Sequence, residues 1–166
     1  MDDAQKIEFY AALRALDRMV GHLHSHGISV DANMSGALDS WWDELRRDTR
    51  TTTLDEVDEQ IEHLVVDEQD ASTQQICYNF FLYVLSDVII SLREELNFSQ
   101  VFASVEECCF YQAGESMLES NVRAIVPVEA EIAELQAHPD HVNEMLAQGK
   151  DRTYAAAVGD WTTVDR

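Results

Sequence analysis

Residues 72–96 read STQQICYNFFLYVLSDVIISLREEL, and the fold class follows from this stretch. Ser72 with Gln75 three residues on has the spacing of a capping box, in which each side chain accepts from a backbone N–H that the first helical turn leaves open. Beyond it Ile76, Phe80, Phe81, Leu82, Val84, Leu85, Val88, Ile89, Leu92 and Leu96 cover nearly every side of a 3.6-residue wheel. Such a helix is predicted to be the hub of a bundle. The run 76–92 carries Asn79, Ser86, Asp87 and Ser91 and is shorter than the roughly 20 mainly apolar residues of a membrane span, so it reads as a buried core helix. Asn79, Tyr83, Ser86, Asp87 and Glu94 fall in one strip, predicted to be a narrow wet face.

Helix signals continue in both directions. Ile7, Tyr10, Leu13, Leu16, Val20 and Leu23 recur every three or four residues, and Gly27 supplies a stop. Ser35 or Ser40 is predicted to open a short helix around Leu38, Trp41, Trp42 and Leu45, followed by a polar connection over 46–53. Thr53 with Glu56 predicts another capping box, before a helix with Leu54, Val57, Ile61, Leu64 and Val65 on its core face. After a break at Asn97, Ser99 precedes the inward positions Val101, Phe102, Val105, Cys109, Ala113 and Met117, with the helix reaching Arg123. Pro127 and Pro139 suit the first turns of helices through 137 and 148, and Gly149 ends the second. The segment 151–166 holds Tyr154, Val158 and Trp161, a tail that can dock loosely on the core. With no internal repeat or linker, residues 1–166 read as one all-α domain, a bundle of about six to eight helices around the 72–96 helix.

The 166 residues include 32 Asp plus Glu against 11 Lys plus Arg, a formal net charge of −21, where about 2 to 8 suffices to keep a small domain soluble. That field repels phosphate backbones and anionic membranes, and so excludes nucleic-acid binding by a basic surface. Attraction to a basic protein remains, as does adaptation to a salt-rich cytoplasm, which two lysines against nine arginines would also fit. The opening Met1-Asp2-Asp3-Ala4-Gln5-Lys6 has neither the basic nor the apolar region of a signal peptide. Together with the odd set Cys77, Cys108 and Cys109 this predicts a reduced, cytoplasmic protein.

Catalytic and metal signatures are missing from the pattern. His22 and His26 share a helix face at i and i+4 while His24 points elsewhere, so the three cannot meet on one ion; a helix end also favours imidazolium. His138 and His141 surround a helix start. Glu59 precedes His63 by four, and Glu134 precedes His138 by four, which is salt-bridge spacing rather than the Glu-x-x-His pairs of a di-iron bundle. Cys108 and Cys109 have no evident base, and no phosphate-binding glycine loop or nucleophile elbow occurs. Of the adjacent Trp41 and Trp42 only one is expected to face the core. The expectation is a chain with no cofactor, no metal and no enzymatic activity.

The acids carry more information. Asp55, Glu56, Asp58, Glu59, Glu62, Asp67, Glu68 and Asp70 follow one another without a Lys or Arg between them. Asp55, Asp58, Glu59 and Glu62 stand at i, i+3, i+4 and i+7, one ridge beside the apolar stripe, and such like-charge neighbours cost a helix a few tenths of a kcal/mol per pair. These four are the predicted partner contacts, with Glu106 and Glu107 as a second patch; Glu115, Glu119, Glu129, Glu131 and Glu134 extend the field.

The order of a Trp-containing helix at Leu38-Asp39-Ser40-Trp41-Trp42, an acidic amphipathic helix over 54–64 and a long apolar helix over 79–92 resembles the YjaG-like family of small bacterial all-α proteins. The resemblance covers about half of the chain, implies a helical fold in a bacterial cytosol, and carries no activity or site residue. In general character the chain also resembles acidic bacterial immunity proteins. The function expected is that of an acidic protein-binding inhibitor, specifically an immunity protein that occludes the anion-binding active site of a basic, nuclease-like toxin; a nucleic-acid-binding protein occluded by carboxylates that imitate phosphates is a partner of the same class. The alternative is a helical bundle that binds or transforms a small molecule.

Overall fold

The computed structural model describes residues 1–94, 96–114, 133, 136 and 137; the side chains of 25, 106 and 108–114 lie outside that description. Five helices and no strand occur among the described residues: α1 (Asp3–Ser25), α2 (Ala32–Arg47), α3 (Leu54–Leu64), α4 (Thr73–Arg93) and α5 (Ser99–Gly114). The fold is all-α. Of the helix expected over 127–137 only residues 133, 136 and 137 are described, each of them helical; the helix expected over 139–148, the tail 151–166 and the extension of α5 past 114 lie outside the described residues.

Local chemistry accounts for most helix ends. Ser72 and Gln75 form the predicted capping box at α4, with Ser72 N–H donating to Gln75 Oε1 at 2.8 Å. Asp2 and Gln5 form another at α1. Gly27, at φ +73°, stops α1: Gly27 N–H reaches the His24 carbonyl at 3.0 Å and Ile28 N–H the Leu23 carbonyl at 2.9 Å, the paired bonds of a Schellman end. Two predicted starts differ. Helix α2 opens at Ala32, and neither Ser35 nor Ser40 caps it; the Asp31 carboxylate accepts from Asn33 N–H at 2.8 Å instead. Thr53 occupies the cap position of α3 without a side-chain bond, and the backbone just before it is held from α2. Buried Glu44 accepts there from Thr51 N–H at 2.5 Å and from Thr52 N–H.

The helices share one core. Helix α4 packs on α1, α3 and α5, and α1 packs on α2, α4 and α5. By length and composition α4 could cross a membrane, but 56% of its most apolar window is buried in the bundle. Tyr83 is 37% exposed, as the predicted wet face requires, and Ile90 is 45% exposed, an apolar position outside that strip. Helix α1 is the more enclosed, with every residue from 9 to 23 buried, including Arg14, Asp17, Arg18 and His22. Phe9 of α1 stacks on Phe98 at a centroid distance of 5.2 Å. Both tryptophans are buried, against the expectation that one would be displaced: Trp42 meets Tyr10 edge-on at 5.5 Å, and Trp41 is fully enclosed in the same core. Helix α2 packs on both α1 and α3, so side chains about 100° apart around it can each find cover.

Candidate partner-binding face

The acidic ridge lies on α3, whose apolar side seats Ile61 fully and Leu54, Val57 and Leu64 partly against the core. Burying that stripe leaves the carboxylates at the surface, and the ridge then divides. Arg93, at the end of α4, bridges its first half: Nη1 donates to Asp58 Oδ2 and Nη2 to Asp55 Oδ1, each at 2.6 Å. The two carboxylates push the guanidinium's pKa up, Asp58 more than Asp55. Glu56, Glu59 and Glu62 are exposed and belong to no ion pair among the described residues.

The acidic field continues into the segment 67–70, where Asp67, Glu68 and Asp70 are all exposed. Helix α4 fixes this segment from beneath. Asn79, 1% exposed, donates Nδ2–H to the Val66 carbonyl at 2.8 Å and accepts from Val66 N–H at 3.0 Å, while the Tyr83 hydroxyl donates to Glu68 Oε1 at 2.9 Å. The strip on α4 is thus wet only in part. Asn79 is its dry end, and burial together with Glu68 raises the Tyr83 phenol. Asp87, half-buried in the same strip, accepts from the Ser104 hydroxyl of α5; burial raises its carboxyl and that bond partly offsets the effect.

The second patch stands elsewhere. Glu107 is exposed on α5, whose main neighbours are α4 and α1, so it does not prolong the α3 ridge. The side chain of Glu106, and residues Glu115, Glu119, Glu129, Glu131 and Glu134, lie outside the described residues, as do the side chains of Cys108 and Cys109 and residues His138 and His141.

His22 differs from expectation in charge. The His22 and His26 rings lie 4.4 Å apart, and His24 is exposed. Burial first and His26 second push His22 down to about 4, so desolvation outweighs the helix-end field that favours imidazolium. Among the described residues no group of three His, Cys, Asp or Glu side chains could hold a metal ion. Cys77 is buried and forms no disulfide among the described residues.

Several polar residues now prominent gave no signal in the sequence. Arg14, Asp17 and Arg18 stand outside the apolar positions of α1 and are nonetheless buried. Arg50 donates to the Leu92 carbonyl at 3.0 Å, satisfying the C-terminal end of α4 from the 48–53 connection. No protein-family model, no curated protein and no solved structure matches the chain.

Proposed function

We propose that the chain is a non-enzymatic, cytoplasmic inhibitor that binds a basic protein, specifically an immunity protein that covers the anion-binding active site of a nuclease-like toxin. The observation that carries the reading is the division of the ridge. Arg93 holds Asp55 and Asp58 in place, and the exposed Glu56, Glu59 and Glu62 continue the same helix without a cation. The scaffold under them suits this role, because α3 is seated by its apolar stripe and the 67–70 segment by Asn79. A fixed negative surface steers a positive partner, raising association towards 10⁸ to 10⁹ M⁻¹s⁻¹ at low salt, and speed is what neutralising a toxin demands.

The bound toxin would contact Glu59 and Glu62 directly, with Asp55 and Asp58 exchanging Arg93 for a partner cation or sharing it. Glu106 and Glu107 would make a separate contact. The test is thermal unfolding of the free chain between about 0.05 and 1 M monovalent salt. A protein whose charge serves a partner gains melting temperature only until its own exposed repulsion is screened, and levels off by about 0.3 M salt. A melting temperature that climbs steeply and continuously would instead identify the acids as adaptation to salt.

A further inference from the structure

A depression of about 230 Å³ opens where the end of α1, the end of α3 and the first turns of α4 converge, and none of its lining residues carries a formal charge. In a chain of net charge −21 that is a local exception. Ile28, Leu64 and Val66 give it apolar walls, and Ser29, Gln74 and Tyr78 give it polar groups. The other polar side chains around it are committed: Ser72 and Gln75 to the capping box, and Asn79 to Val66. Tyr78 is half committed. Its oxygen accepts from Asp31 N–H at 3.0 Å, and among the described residues no acceptor takes its proton.

We infer that this depression is a binding site for a small uncharged molecule with an apolar body and a carbonyl-type oxygen, which accepts the Tyr78 hydroxyl proton while its body lies against Ile28, Leu64 and Val66. An anion would find no cation in the lining and a repulsive field around it. A cation would find its carboxylates outside the depression, on α3 and at 67–70. The Asp31 N–H fixes the phenol oxygen, so the remaining donor is oriented before a ligand arrives, and burial keeps the phenol protonated. The volume is below the roughly 300 to 1,000 Å³ of sites for drug-sized ligands, which sets a small ligand and modest affinity. This site is independent of the acidic face and of the inhibitor reading.

The test is an amide NMR titration of the full chain with acetanilide, with benzoate as the charged control. Acetanilide is expected to shift the amides of Gly27, Ile28, Ser29, Leu64, Val66 and Tyr78 saturably, and benzoate to leave them in place. Tyr78→Phe should weaken acetanilide about 2- to 10-fold, the range of one lost hydrogen bond. Ser29→Trp, at an exposed position, should block the depression without touching the core. The inference is overturned if those amides do not move, if benzoate moves them as strongly, or if both variants titrate like the parent.

Discussion

Asn79 holds the backbone of Val66 by both ends of its amide, donating at 2.8 Å and accepting at 3.0 Å, and so fixes where the chain leaves α3. Replacing it with Ala leaves a part-buried N–H and carbonyl without their partner, at a cost of about 1 to 2 kcal/mol. Urea unfolding of Asn79→Ala should show that loss, and hydrogen exchange should show faster opening at Val66. A loss of stability with unchanged protection at Val66 would mean that the residue acts through packing alone.

Arg93 is worth little to stability, since its two carboxylates sit at the surface and exposed pairs contribute about 0 to 1 kcal/mol. Arg93→Met should therefore leave the chemical denaturation midpoint almost unmoved. It should steepen the salt dependence of binding to a basic partner, because it releases Asp55 and Asp58. A large drop in stability would contradict the assignment of this pair to the surface.

His22 ties stability to acid. Neither state holds its proton well above pH 6.5, so stability is level there; below about 6.5 the unfolded chain takes up a proton that the folded chain refuses until near 4. Stability should fall across that window by up to about 3 kcal/mol and then level for this group. Measured at about pH 7.5 and 4.5, His22→Gln should lose less stability on acidification than the parent. An equal loss would show that His22 is not the group responsible.

Asp87 has the opposite linkage. Its raised folded pKa means that ionisation costs stability, absent below the unfolded value near 3.8 and fully present once pH exceeds the folded value. At neutral pH Asp87→Asn, which can still accept from Ser104, is expected to be at least as stable as the parent. Thermal melts at neutral pH check this, and clear destabilisation would mean that the carboxylate is needed as a charge.

What was legible in the sequence was what neighbours decide. The Ser72–Gln75 box, the Gly27 stop and the α3 core face all depend on residues within one or two turns. What was not legible depends on residues far apart in the chain. Thr53 makes no cap bond, in a connection whose backbone Glu44 holds from α2, and Ser35 lost its role to Asp31, one turn earlier. The ridge was found, but its division was not, because Arg93 comes from another helix. The enclosure of α1 was hidden for the same reason: Arg14 and Asp17 are buried in a helix that packs on α2, α4 and α5. The uncharged depression assembles three segment ends that no spacing rule joins.

The central claim is that the open half of the ridge binds a basic protein. The most direct measurement is parallel capture from a lysate of the source organism by the parent chain and by the Glu59→Lys, Glu62→Lys double variant, at low salt and after a wash at about 0.5 M salt, with mass spectrometry of the eluates. The account predicts one basic protein in near-stoichiometric yield on the parent, depleted by salt and lost from the variant. Equal capture by both chains, or no specific protein on the parent, would contradict it.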